Sequence, residues 1–416
     1  MDHLKRYSII YFAFLFISVI LISFYVMDEE TLDFKWKTVS GDEAVVKDVT
    51  ILGDGQSSPG MASYYSVVSE PFQLSVDESK RIDQSRESYY GWYYSDLQIE
   101  KYVKEYKSFM RGKNQWSENF AETDNQLIYV DGNENNWDMN EQNHIGVEIL
   151  DKETENVSSF ELAVEDQQIY GVSSITADNH NKLYVQLYME GQYDEITDVY
   201  TDENGILVID LNNQTIEDIR FPQRDMESKE GIEPSLTYQD SGLINGEMHY
   251  LYTYDEYKVD QNGVYVGDSP LKYELRLYNV EQDSFQSIDL QEANFYGGDF
   301  LRIYDGTVYA GMLQGENYTL TKFDENLEEQ ETVFEENVFD AEMEIGQEEV
   351  YPLTDVHNGY FYVVFPAYST LTVADISINV FDLETGENVY QGIIQAEDSM
   401  KQYQYFDLYQ MEFEDK

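Results

Sequence analysis

From about residue 37 onward the chain is built of short apolar–polar alternations broken by Gly, Asn and Asp. KLYVQLYME from Lys182 and HYLYTYDEY from His249 are typical. A period of two predicts strands, and the Asx-Gly pairs between them supply the positive φ angles that tight hairpins need. Long amphipathic helices are nearly absent. One stretch, Asp96 to Met110, carries Leu97, Ile99, Tyr102, Val103 and Tyr106 at helical spacing and ends at Arg111-Gly112. It is read as a helical insertion, residues 96–110. A second exception is Tyr7 to Met27, a run with no charged residue that matches the ~20 residues needed to span a bilayer.

Two markers recur within the alternation. The first is a turn followed by apolar-Tyr-apolar: Ile128-Tyr129-Val130, Leu183-Tyr184-Val185, Val308-Tyr309-Ala310 and Phe361-Tyr362-Val363, with His249-Tyr250-Leu251 as a looser copy. The second is a strand ending in Asp or Asn, a turn, and another strand. It reads ILDKETENVSSFEL from Ile149, VIDLNNQTIEDIRF from Val208, LYNVEQDSFQSIDL from Leu277, KFDENLEEQETVF from Lys322 and VFDLETGENVYQGII from Val380. The tyrosines are spaced 55, 66, 59 and 53 residues apart, the Asp/Asn positions 59, 69, 45 and 58, and the two markers alternate strictly.

A period of 40–60 residues with about four strands per repeat is that of a β-propeller blade, a sheet that cannot bury both faces unless neighbours stack on it. Residues 120–400 resemble the β-propeller superfamily in this generic sense. The VFDLETGENVYQG hairpin looks like the outer hairpin of quinoprotein-like and kelch-like blades. The resemblance implies an all-β domain of six or seven blades over residues 37–416, with the last strand, KQYQYFDLYQMEFED, available to share a blade with strands from the N-terminal side. No GH…WD pair, kelch double glycine or quinoprotein tryptophan motif is present, so no functional residue carries over. A pair of β-sandwiches is the competing fold; it explains the strands but not the interleaved repeat.

Composition sharpens placement more than chemistry. The chain holds 25 Lys+Arg against 82 Asp+Glu, a net charge of −57, with 37 Tyr, 21 Phe and no Cys. Such charge excludes a nucleic-acid surface, and the apolar content excludes an acidic disordered chain. Absent cysteine excludes disulfides, thiolate metal sites, cysteine nucleophiles and a lipoprotein anchor. Lys5 and Arg6 precede the apolar run, and Asp28, Glu29 and Glu30 follow it. The positive-inside rule then assigns residues 1–6 to the cytoplasm, 7–27 to a single transmembrane anchor, 28–36 to an acidic linker, and the remainder to the extracellular side of the cell membrane. A cleaved signal peptide competes, but the run is long and lacks a small-residue cleavage site. The acidity itself is read as surface adaptation to salt or high pH, with cation or basic-partner binding as the sharper alternative.

Sites are harder to find. His144, His180, His249 and His357 stand apart without metal-ligand spacing. Acidic loops at 131–138, 178–181, 202–205 and 260–263 make Ca²⁺ a candidate ligand, yet none follows an EF-hand pattern and Asx-Gly is also what turns require. No catalytic residue and no cofactor is identified. Most tyrosines alternate with Leu, Val and Ile and are assigned to sheet packing rather than sugar stacking. Tyr89, Tyr90, Trp92, Tyr93 and Tyr94 form the exception, a contact surface toward a protein partner at the membrane or toward lipid headgroups. The resulting expectation is a membrane-anchored, non-catalytic binding or scaffolding module. Its alternatives are a propeller-type hydrolase or lyase using acidic residues, and an accessory subunit of an integral membrane complex.

Overall fold

The computed structural model describes residues 34–57, 68–77, 79–81, 97–132, 144–164, 168–178, 180–194, 199–226, 231–260, 264–267, 270–290, 300–314, 317–327, 330–337, 352–365, 368–369, 376–396 and 405–413. The apolar run 7–27 and the aromatic segment 89–94 lie outside them. No helix among the described residues is long and apolar enough to cross a membrane.

The described strands form six antiparallel sheets. In chain order, the first contains β5 (Phe120–Glu122), β6 (Gln126–Asp131), β7 (His144–Asp151) and β8 (Val157–Ala163). The second contains β9 (Ile169–Ala177), β10 (Lys182–Asp194), β11 (Val199–Asp210) and β12 (Thr215–Arg220). The third contains β13 (Ile232–Ile244), β14 (Glu247–Lys258), β15 (Lys272–Asn279) and β16 (Ser284–Asp289). The fourth contains β17 (Phe300–Tyr304), β18 (Thr307–Gln314), β19 (Asn317–Phe323) and β20 (Gln330–Asn337). Each is a four-stranded meander, the strand order of a propeller blade.

Two five-stranded sheets join the ends of the described chain. β21 (Leu353–His357), β22 (Tyr360–Phe365), β24 (Ile376–Asp382) and β25 (Asn388–Ala396) accept β1 (Phe34–Gly41) on the outside. β26 (Tyr405–Phe413) lies between β23 (Tyr368–Ser369) and β2 (Val49–Ser57), followed by β3 (Val68–Leu74) and β4 (Ser79–Arg81). The expectation that the last strand shares a sheet with the N-terminal side therefore holds. The linker 28–36 needs correction: Phe34, Lys35 and Trp36 already belong to β1. Phe34 and Trp36 alternate onto the core, with Phe34 5.4 Å from the Phe72 ring and Trp36 Nε1 donating to the Tyr390 hydroxyl at 2.8 Å. The acidic run before them hid this alternation.

The chain divides into two compact units, residues 94–312 with 319–332, and residues 1–93, 313–318 and 333–416. In the first, successive sheets share cores. Leu183, Val185 and Leu187 of β10 pack with Ile128, Val130, Ile145 and Val147 of the first sheet, while the intervening Tyr184 packs with Tyr250, Tyr252 and Tyr278 of the third. Leu251, Leu275 and Leu277 of the third sheet then meet Leu301, Val308 and Ala310 of the fourth. Period-two alternation thus sends neighbouring residues to two different cores. In the second unit, Ile378, Val380, Tyr390 and Ile394 form one core with Ile51, Phe72, Leu408 and Met411.

Both sequence markers find a physical meaning. The five marker tyrosines, Tyr129, Tyr184, Tyr250, Tyr309 and Tyr362, sit on the second strand of their sheets and are all buried. The Asp/Asn of the other marker closes the third strand and caps the turn to the fourth. Asp382 Oδ1, for instance, accepts from the Glu384 and Thr385 N–H groups and from the Thr385 hydroxyl. Asp210 Oδ1 accepts from the Asn212 and Asn213 N–H groups three repeats earlier, and Asp151 Oδ1 from the Thr154 N–H and hydroxyl four repeats earlier. The residue after the aspartate then donates its N–H to the first hairpin of the same sheet, Lys152 to Asn125 O, Leu211 to Asn181 O and Leu383 to Gly359 O. The markers alternate because they meet at one end of each sheet. Type I′ geometry appears where expected, with positive φ at Asn245-Gly246, Asp305-Gly306 and Asn358-Gly359.

The predicted helix is present in two pieces, α1 (Leu97–Glu105) and α2 (Lys107–Met110), interrupted at Tyr106, whose φ of −117° and ψ of 48° leave the helical region. The break lets Ile99 and Tyr102 of α1 and Phe109 and Met110 of α2 reach the same patch on Phe120, Leu127 and Tyr129.

Hydrogen bonds from the turns hold the Asp151, Asp210 and Asp382 carboxyls below the usual range. A carboxyl held low stabilises the fold above its unfolded pKa and loses that contribution as pH falls through its folded pKa. Asp382→Ala is therefore expected to lower the thermal midpoint at pH 7 by the equivalent of about 1 kcal/mol. The difference from wild type should shrink toward zero as the pH drops below about 4; a denaturation series between pH 2 and pH 7 reads this directly.

Candidate functional site

In the 94–312 unit the first strands of successive sheets, β5, β9, β13 and β17, neighbour one another without merging into one sheet. Side chains bridge them. Thr176 and Ser241 hydroxyls are 3.3 Å apart between β9 and β13, and Asp240 Oδ2 accepts from Ile303 N–H of β17 at 2.7 Å. Arg302 Nη1 donates to Gln239 O at 3.2 Å. A polar cluster therefore lies where three sheets present their first strands.

Two β-bulges shape it. The β13–β14 register slips between Tyr238 and Asp240, and the β9–β10 register slips between Gln186 and Leu187. A bulge re-aims the side chains beside it. Here Ser174 donates to Gln186 Oε1 at 3.2 Å, Gln239 Nε2 donates to Thr253 Oγ1 at 3.1 Å, and the Tyr238 hydroxyl donates to Ser241 Oγ at 3.2 Å. Beneath lies a phenol layer, with the Tyr238 ring 6.0 Å from Tyr250 and 6.2 Å from Tyr252. Among the described residues Gln186 Nε2 and the Tyr252 hydroxyl are buried without a hydrogen-bond partner, while the Tyr250 hydroxyl is turned toward Ser174. Buried donors left unspent are uncommon and call for a water or a ligand.

The electrostatics follow burial. Desolvation pushes the Asp240 carboxyl above its usual range, against the pull of Arg302 and of the N–H groups of Ile303 and Ser241. Burial likewise raises the Tyr238, Tyr250 and Tyr252 phenols, which stay protonated and can donate. Asp255 on β14 is also raised by burial. It pairs with Ser235, whereas Asp240 pairs with Leu251. The two carboxyls are thus four residues apart along β14, about 13 Å at 3.3 Å per residue, too far to act on one glycosidic bond.

Of the acidic stretches, residues 133–138, 179 and 261–263 lie outside the described residues. Asp178 Oδ1 accepts from His180 N–H and Lys182 N–H at 2.8 Å each, and Asp260 Oδ1 accepts from Val264 N–H at 3.0 Å. The stretch 202–205 is no loop but the interior of β11, where Glu203 forms a two-pronged pair with Arg224, 2.7 Å at each oxygen. Among the described residues no group of three His, Cys, Asp or Glu is placed to hold a metal. The segment around Tyr89, Tyr90, Trp92, Tyr93 and Tyr94 lies outside the described residues. His249 is buried, its ring beside Asn279 Nδ2 at 3.0 Å and Glu247 O at 3.0 Å, and burial lowers its pKa. It serves as a structural imidazole.

Nothing above singled out Asp240, Gln186 or Arg302 in the sequence. The available signal was the run Gln239-Asp240-Ser241-Gly242, four consecutive polar or small residues where the alternation along the strand lapses.

No protein family matches the sequence, and no curated protein matches it. Several solved structures share part of the strand layout. An uncharacterized protein from Listeria monocytogenes aligns at 10% identity over 66% of this chain and 66% of its own, with a TM-score of 0.34. A periplasmic gluconolactonase from Pseudomonas aeruginosa aligns at 9% identity over 88% of this chain and 99% of its own, with a TM-score of 0.34. The β-propeller domain of the trilobed protease from Pyrococcus furiosus aligns at 10% identity over 87% and 98%, with a TM-score of 0.29. Likenesses of this degree decide nothing about activity.

Asp240→Ala removes the acceptor of the Ile303 N–H and is expected to destabilise by roughly 1–3 kcal/mol in chemical denaturation. Arg302→Ala, at an exposed side chain, should stay within about 1 kcal/mol of wild type.

Proposed function

We propose that the protein is a β-propeller binding module, held at the outer face of the cell membrane by Tyr7–Met27, that takes an uncharged, hydroxyl-rich ligand on the first strands of its central sheets. The observation that carries the reading is the cluster of Ser174, Gln186, Tyr238, Asp240, Ser241 and Arg302 over buried phenols with hydrogen-bonding capacity to spare. Neutral donors and acceptors suit a carbohydrate-like ligand. A net charge of −57 disfavours anions by long-range repulsion. Four four-stranded meanders, together with two five-stranded sheets that pair strands from both ends of the chain, support the propeller reading with six or seven blades. Lys5 and Arg6 support a cytoplasmic N-terminus, and Tyr89, Tyr90, Trp92, Tyr93 and Tyr94 remain the proposed contact to a membrane partner or to headgroups.

The second reading, a hydrolase or lyase, is favoured by one feature, the Asp240 carboxyl, which burial pushes toward its protonated form and so toward the role of a general acid. The accessory-subunit reading rests on the anchor alone.

Thermal unfolding of the full chain in lipid nanodiscs against a panel of neutral oligosaccharides tests the binding site. A saturable rise in midpoint is expected, lost in Tyr238→Phe and Arg302→Ala. A rise that those variants leave intact would place the ligand elsewhere, and turnover of a panel member abolished by Asp240→Asn would convert the module into an enzyme.

A further inference from the structure

The buried imidazole of His249 carries an inference independent of ligand binding, because its partners fix how it is protonated. Nδ1 lies 3.0 Å from the Glu247 carbonyl oxygen, which only accepts, so Nδ1 donates. Nε2 lies 3.0 Å from Asn279 Nδ2, an amide nitrogen that only donates, so Nε2 accepts. The Asn279 amide cannot turn round to change this. Its Oδ1 takes the Gln282 N–H at 2.8 Å, and its Nδ2 also donates to Glu247 Oε2 at 2.6 Å. Both N–H bonds of the amide are thus engaged, and the network closes only around a neutral ring.

The repeat shows what this arrangement replaces. Asp151, Asp210 and Asp382 hold the same place at the end of the third strand, each accepting the N–H three residues on. Opposite them across the ladder stand Gln126, Lys182 and Tyr360. In the third sheet the capping residue is Asn279 and its ladder partner is His249. Asn279 keeps the oxygen that caps the turn and exchanges the second carboxylate oxygen for a donor aimed at the ring. An aspartate there would accept from an imidazolium; an asparagine so oriented cannot.

Burial lowers the pKa of the ring, against the pull of Glu247 on its own strand and of Glu281 in the turn after β15. Glu281 in turn accepts the Tyr184 hydroxyl of the second sheet at 2.5 Å and the Met248 N–H at 3.0 Å. Around Tyr184 stand Asp178, Glu217 and the Lys182 that pairs with Glu217. In the same outer turn Asp283 accepts the Tyr278 hydroxyl and pairs with Arg220. β13 places Gly242 opposite His249, and the fourth sheet brings Glu325, bound to Asn245, and Asp305 in the β17–β18 turn.

We propose that His249 and Asn279 form an acid-sensitive latch on the outer turn of the third sheet. With the ring neutral, residues 280–283 are held in place, and Glu281 ties them to Tyr184 of the neighbouring sheet. With the ring protonated, two N–H groups oppose each other and the turn is released. A histidine whose folded pKa is lowered gives stability that is present above its unfolded pKa and lost as pH falls through the folded value. The sign is that of Asp151, Asp210 and Asp382 in the other turns. Between the two pKa values each unit of acidification favours the open turn by about tenfold.

Two mass-spectrometric readouts on the full chain in lipid nanodiscs test the latch. Deuterium exchange at the imidazole C2 position, followed against pH, is expected to place the His249 titration below the ordinary histidine value of about 6.5. Asn279→Asp, which supplies an acceptor, should move that titration upward. Amide exchange in peptides covering 247–252 and 278–284, corrected for intrinsic rates, should quicken between pH 7.5 and pH 5.5, while 376–382 keeps its protection. His249→Gln still offers Asn279 an acceptor but cannot titrate, and should abolish that pH dependence. The proposal is overturned if 278–284 is equally protected at both pH values, or if His249→Gln folds and leaves the pH dependence intact. Should the variants fail to fold, the C2 titration of the unaltered chain decides, and a ring that titrates at or above the ordinary value overturns the latch.

Discussion

Among the described residues the inner strands of the sheets are buried on both faces, and that constraint organises the rest. β6, β14, β15 and β22 are buried along nearly their whole length, while the fourth strands β8, β12 and β16 are largely exposed. A sheet with two greasy faces has no stable existence alone. It needs a neighbour on each side, and the chain supplies one every 45–69 residues. The split of β10 shows the mechanism at single-residue resolution, with Tyr184 facing one core and Leu183 and Val185 the other.

Stacking of this kind leaves polar connections to secure the alignment between sheets. The Tyr184 hydroxyl crosses to Glu281 Oε1 at 2.5 Å in the next sheet's outer turn, whose Oε2 also accepts Met248 N–H. Asn245 reaches Glu325 and Gln286 reaches Asn326 in the same manner. On the other side, first strands are tied by Thr176–Ser241 and Asp240–Ile303. The candidate ligand cluster grows out of this second set of ties. Its residues run from the fully buried Gln186 to the exposed Arg302, and several are structural struts, which is why stability and binding must be measured separately for each variant.

The two classes of acidic residue illustrate how location decides what a carboxyl does. On turns it accepts several N–H groups and is stabilised as an anion. On Asp407, half-buried and opposite Asp54 across a ladder, burial and the neighbouring charge push the carboxyl upward instead. The remaining acids largely coat the surface, where they repel one another and favour screening by salt.

How much was legible beforehand depends on the range of the signal. Alternation, Asx-Gly turns, the marker tyrosines and the capping aspartates act within a few residues, so the strands, their order in fours and the helix at 97–110 could be read from the sequence alone. Composition likewise excluded thiol chemistry and nucleic-acid binding. The pairing of Phe34–Gly41 with β25 was obscured because its partner is more than 350 residues away. The convergence of Asp240 with Arg302 and Ile303 and the opposition of Asp54 to Asp407 were beyond reach for the same reason. Each depends on register between strands distant in sequence, and register is settled only when the two faces of every sheet find their cores together.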